Sequence, residues 1–219
     1  MYKNCLYLNI KFKFVKHNFN YTKLNMEVKE PDMAYNNYSY ADYLTFKMEE
    51  MVELIKGKVF KMTAPKRIHQ KISGKVFYEL YSFLNNKKCQ VYSAPFDVRL
   101  PVKSRKNEDI FTVVQPDICV ICDLEKLDEY GCIGAPDLVI EILSEGNNRK
   151  ELKYKFDVYE ESGVKEYWII NPMGQTLTIN TLVNGKYQSS KLLTSGDEIS
   201  TPILPDFILK LEDVFDNLA

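Results

Sequence analysis

Apolar and polar positions alternate along this chain in patterns that predict a mixed set of strands and helices. From Asp137 to Leu143 both parities are apolar: Val139 and Leu143 lie on one side, and Leu138, Ile140 and Ile142 on the other. A run of that kind predicts a strand covered on both faces. Glu141 is its one interior charge. Residues 65–85 repeat at helical spacing, with Ile68, Ile72, Val76, Leu80 and Phe83 on one face. His69 falls inside that stripe near the helix start. A second helix is predicted after the polar loop SEGNN, with Asn148 as N-cap and Glu151 completing a capping box. Its apolar stripe is Leu152, Phe156 and Tyr159. Lys155 stands about 60° from Leu152, at the stripe's edge, and is the helix lysine best placed to reach inward.

Shorter elements fill the rest. Two apolar runs flank Lys56-Gly57 in VELIKGKVFKM, predicting a hairpin with Glu53 in its first strand. Asn184-Gly185 between TLTINTLV and KYQSSKLL predicts another, with a type I′ turn. QVYSAPFDVRLPV reads as a strand pair or one bent strand. PDICVIC is a strand opened by Asp117. KEYWIIN is a buried strand after Ser162-Gly163, and ILPDFILKLEDVF a strand and short helix. A short helix is expected after Ser39. Residues 39–219 read as one domain with a mixed central sheet flanked by helices (α/β, of the α+β kind) and added β-hairpins. Residues 1–38 read as an extension. Within it, residues 1–25 form a distinct stretch, and Met26 is expected to be the natural start, which an intact-mass measurement on the native protein checks.

Composition changes this picture little. The 219 residues are 45% hydrophobic and 27% charged, as in soluble globular proteins. No apolar run reaches the roughly 18 residues of a membrane span. Five cysteines without framework spacing point to a reducing compartment, the cytoplasm. Cys119 and Cys122 form a CxxC, but three residues along a strand put them on opposite faces, which disfavours zinc. The net charge of −1 hides an asymmetry. Residues 1–25 hold five lysines and no acid, so the other 194 residues carry 24 basic and 30 acidic groups. Such a body has no global attraction to nucleic acid and would need a local basic patch.

Candidate chemistry gathers near the apolar strand. If PDICVIC pairs antiparallel with it, position 122 faces about 137 and 117 faces about 142, so Asp117 comes beside Glu141. A buried charge is costly unless it pairs or holds a metal. Two readings stand for each residue. Glu141 is a strand-end acid paired with a nearby lysine, or a site carboxylate. Lys155 runs along the core into water, or reaches the acids. Glu53 is an exposed edge-strand acid, the reading its sequence favours, or a site residue. His69 is a satisfied core histidine or a rim residue. Together, two carboxylates suit a hard divalent ion such as Mg2+, with Mn2+ as an alternative. Such an ion lowers the pKa of bound water and stabilises phosphoryl charge, and a nearby ammonium orients that water. This chemistry fits phosphodiester hydrolysis.

These segments resemble a known family. VELIKGKVFKM, the helix with His69-Gln70, SAPFDVRLP, VVQPDICVI, GAPDLVIEILS, the Lys155-to-Tyr159 spacing, SGVKEYWIINP and LPDFIL together are similar to the Uma-two family, also called domain of unknown function 820. That family belongs to the PD-(D/E)XK nuclease superfamily, and the likeness covers about residues 50–210. The resemblance implies a restriction-endonuclease-like core and a metal-dependent endonuclease cutting DNA. Asp117 would be the Asp of the PD motif and Glu141 the acid of the third core strand. Lys155 would stand for the motif lysine, displaced onto the following helix because its usual place, two residues after the acid, holds Leu143. Asp117, Glu141 and the backbone carbonyl of Ile142 would hold the metal, with Glu53 and His69 auxiliary. The chain departs from the family in reading Lys56-Gly57-Lys58 where DGE is usual and Asn171-Pro172 where Asp-Pro is common. A homodimer is expected, since cutting two strands favours two-fold symmetry. Two alternatives are a catalytically silent module binding nucleic acid or protein, and a hydrolase of another phosphate ester.

Overall fold

The computed structural model describes residues 31–35, 37–144 and 149–218, with the side chains of 149–151 left aside. Residues 1–30, which include the expected start at Met26, and the capping box of Asn148 and Glu151 therefore lie outside the described residues.

The first helix, α1 (Tyr40–Tyr43), is closed by a capping box between Ser39 and Asp42. The hairpin β1 (Val52–Ile55) and β2 (Lys58–Lys61) follows. Its turn residues Lys56 and Gly57 have φ of 49° and 77°, as a type I′ turn requires. The long helix α2 (Arg67–Leu84) buries His69, Ile72, Val76, Leu80 and Leu84. Then come β3 (Gln90–Ser93), β4 (Asp97–Arg99), β5 (Val113–Val114) and β6 (Ile118–Ile121). The short strands β7 (Leu127–Asp128) and β8 (Gly131–Ile133) precede the central β9 (Leu138–Ile142). Helix α3 (Arg149–Ser162) leads to β10 (Glu166–Asn171). The chain closes with β11 (Thr176–Val183), β12 (Lys186–Ser189), β13 (Leu193–Thr194), β14 (Glu198–Thr201), β15 (Leu204–Lys210) and α4 (Leu211–Phe215).

These strands form two larger sheets and a β14–β15 hairpin. One sheet runs β2-β1-β5-β4-β8-β7. The other runs β12-β11-β10-β9-β6-β3, with β13 added on β11. In the second sheet β9 lies between antiparallel β6 and parallel β10. The α3 crossover supplies the long connection that parallel neighbours need. β9 is buried along its whole length, as its two-sided apolar pattern predicts. Leu138, Ile140 and Ile142 join Ile118, Val120 and the α2 stripe in one core, together with β15 and α4 residues. Val139, Cys119 and Ile121 face the other way, into a core with Val158, Tyr159 and Tyr167.

Three expectations are corrected. The β6–β9 register is one residue from the predicted one: Ile118 faces Ile140 and Val120 faces Leu138. Continued one step, it sets Asp117 opposite Glu141, on the same side of the sheet. The predicted register would have put them on opposite sides, because a one-residue slip reverses every side chain. The hydrophilic connection at 123–136 contains the β7–β8 hairpin. β8 also pairs in parallel with β4. There Gly131 packs so closely that a Cβ would come 2.2 Å from the Asp97 carbonyl oxygen. Finally, Glu53 is not on an edge strand. β5 pairs with the far side of β1 across Leu54 and Val113, and α3 packs against β1, leaving Glu53 1% exposed.

QVYSAPFDVRLPV is neither one bent strand nor a mutually paired couple but two separate strands: β3 borders one sheet and β4 enters the other. Cys119 and Cys122 do face opposite cores, and Cys122 forms a disulfide with Cys89. Among the described residues no helix is long and apolar enough to cross a membrane.

Candidate active site

The meeting place of the two sheets with α2 and α3 is a cleft of about 630 Å³. Glu53, His69, Gln115, Asp117, Glu141, Ile142 and Lys155 all line it. All the residues singled out in the sequence are thus brought together.

Each arrives from a different element. Asp117 immediately precedes β6. Its Oδ2 accepts from the Ile142 N–H at 2.7 Å and meets His69 Nε2 at 3.1 Å. Both bonds use one oxygen, and Oδ1 takes neither. Glu141 comes from β9, on the face it shares with Val139. Its Oε1 accepts from Lys155 Nζ at 3.0 Å and from the Tyr159 hydroxyl at 2.8 Å, and Oε2 takes neither. Lys155 reaches inward from α3 and is 6% exposed, so it does not run out to water. The same ammonium lies 2.9 Å from Glu53 Oε1. Tyr159, one turn on, shares the inward face with Lys155, as i and i+4 positions do.

Charge in this enclosure is strongly perturbed. Burial pushes the Glu141 carboxyl up to about 7. Lys155 opposes that rise, while Asp117 and Glu53 add to it. Burial works against the charge on Lys155, but Glu141 and Glu53 outweigh it and hold the ammonium well above its ordinary range. His69 is likewise pulled down by burial and raised more by its bond to Asp117. A lysine that stays charged beside an acid poised near neutrality is an arrangement suited to proton handling.

The donor set bears on a metal. Among the described residues no three His, Cys, Asp or Glu side chains form a ready-made cage. Asp117 and Glu141 nevertheless each keep one oxygen outside the hydrogen bonds that fix the other. A hard divalent ion that retains several waters and takes one or two carboxylates matches such a set. These residues therefore fit Mg2+ or Mn2+.

Sequence reasoning missed Tyr159 as a Glu141 partner, reading it as an apolar stripe residue and, through its spacing from Lys155, as part of the family pattern. Its i+4 spacing from Lys155 was the available signal. It also missed Gln115, whose backbone N–H donates to Glu53 Oε1 at 2.7 Å. The signal there was its parity with Asp117 in VVQPD.

The architecture is mixed α+β, and its cleft gathers two acids from adjacent chain segments with a lysine from the next helix. Comparison with known families and structures places this fold among restriction-endonuclease-like nucleases. The family model Uma2, described as "Putative restriction endonuclease", matches residues 39–212, and the chain belongs to that family. A solved structure of a "putative nuclease belonging to DUF820" from Anabaena variabilis superposes with a TM-score of 0.66 at 19% identity. The match covers 83% of this chain and 99% of that one. Comparison with curated proteins gives no match.

Proposed function

We propose that the chain is a metal-dependent endonuclease that hydrolyses DNA phosphodiester bonds. One observation carries this reading: Asp117 and Glu141 lie side by side on one face of the sheet, and Lys155 is buried against Glu141. A bound Mg2+ or Mn2+ would supply a polarised water and charge stabilisation at the phosphoryl oxygens. Asp117 and Glu141 would hold that ion, together with the Ile142 carbonyl. The Ile142 N–H and His69 orient Asp117. Tyr159 orients Glu141. Lys155 holds positive charge where the attacking water and the developing anion would lie. Glu53 anchors Lys155 from the opposite side. Glu141, Lys155 and Glu53 are buried, which strengthens the interactions among them. Cutting both strands of a duplex takes two such sites, which a homodimer would supply.

The test is turnover of supercoiled plasmid and of a small aryl phosphodiester by the purified chain, with Mg2+ or Mn2+ and then with EDTA. Metal-dependent nicking of plasmid that EDTA stops supports the reading. Turnover of the small ester alone indicates a different phosphoesterase. Plasmid binding without nicking under every metal indicates a silent nuclease fold.

A further inference from the structure

Gln115 sits in the link between β5 and β6, two residues before Asp117. It is 8% exposed and lines the cleft. Its side-chain Nε2 donates to Asp97 Oδ1 at 2.8 Å and to the Tyr43 hydroxyl at 3.2 Å. Its Oε1 is buried and has no hydrogen-bond partner among the described residues. Turning the amide over would press that oxygen against the Asp97 carboxylate, so Asp97 fixes which way it faces. A buried acceptor left unpaired is unfavourable, and a bound ion or water is one of the few things that satisfies it.

We infer that Gln115 Oε1 is a third side-chain oxygen for the divalent cation, beside Asp117 and Glu141, held in place by Asp97 and Tyr43. This rests on the metal-dependent reading of the same cleft. Charge favours an amide there. When ionised, Asp117, Glu141 and Glu53 outnumber Lys155 and His69 even with both of those charged, and a divalent ion offsets the excess. A neutral oxygen adds coordination without bringing in a further buried anion. Hard cations take amide carbonyls alongside carboxylates in mixed oxygen sets. A third oxygen of this kind would complete a set that, among the described residues, includes no cage of three acids, cysteines or histidines.

The experiment is Mn2+ binding to the full chain, read from the electron paramagnetic resonance of free Mn2+. Gln115→Met keeps the side chain's length and removes the oxygen. It is expected to weaken binding by about tenfold or more, as loss of a ligand or its close support does. The paired exchange Asp97→Asn with Gln115→Glu reverses the hydrogen-bond polarity and again presents an oxygen to the cleft. It is expected to restore binding at least to the parent's level. Parent-like binding by Gln115→Met, while Asp117→Asn loses it, overturns this proposal alone. So does a paired exchange as weak as Gln115→Met, because that outcome marks a packing role. A parent chain that binds no Mn2+ overturns the proposal and the metal-dependent reading together.

Discussion

The two faces of the β6–β9 strand pair differ by one kind of residue. The face toward α2 and α4 is apolar throughout, with Ile118, Val120, Leu138, Ile140 and Ile142 packed in one core. The face toward α3 begins the same way, with Cys119, Ile121 and Val139, and ends in Asp117 and Glu141. Both faces are dry. On one, burial is favourable with no compensation needed. On the other, the acids are tolerated because Lys155, Tyr159, His69 and the Ile142 N–H meet them. The same strand thus provides a rigid support on one side and the candidate site on the other, and a rigid element positions a site better than a loop does.

Breaking the acid face should cost most. Asp117→Asn is expected to lower plasmid nicking by about 10³-fold, of the order seen when a key charge-stabilising group is lost, with a melting temperature close to the parent's. Lys155→Met leaves Glu141 and Glu53 buried without their ammonium. Chemical denaturation should show it less stable by about 3–5 kcal/mol, and nicking should fall as well. On the other face, Ile140→Ala should cost about 2–5 kcal/mol through the cavity it leaves. Its nicking rate per folded molecule should not change, and a fall comparable to that of Asp117→Asn would undo the division between the faces.

Smaller effects sharpen the comparison. Tyr159→Phe removes one hydrogen bond from Glu141 and should cost about 1.5–3 kcal/mol if that carboxylate is charged. It should also raise the acid further, moving the acidic limb of the nicking pH profile upward. The parent's own pH dependence follows from Glu141. Its carboxyl is raised from 4.5 to about 7, so between those values the folded chain holds a proton that the unfolded chain releases. Stability from this group is therefore fullest below about pH 4.5 and declines as pH rises through about 7. Melting curves at pH 5 and pH 8 should show a smaller difference in Glu141→Gln than in the parent.

Much of this was legible in the sequence because it depended on local pattern. The α2 stripe, both Asn-Gly or Lys-Gly turns and the two-sided β9 run are encoded within a few residues each. Lys155 was legible for the same reason, since helix phase alone turned it inward. What failed depended on distant partners. Glu53 reads as an edge residue until β5, some 60 residues on, pairs with its strand. The β6–β9 register could not be set by alternation alone, because a long connection carrying its own β7–β8 hairpin leaves the slip of one residue open. Gln115 looks like a polar break in VVQPD, and only Asp97 and Tyr43, brought in from other elements, give its amide a direction.

The most direct measurement is the rate of Mn2+-dependent plasmid nicking by the parent and by Glu141→Gln, both confirmed folded by their melting curves. Glutamine keeps the shape and leaves Lys155 a neutral partner, so it removes the carboxylate with little change in packing. The account predicts nicking by the parent and a loss of about 10³-fold in Glu141→Gln. Equal rates in the two proteins would contradict it, because the cutting would then come from somewhere other than this face.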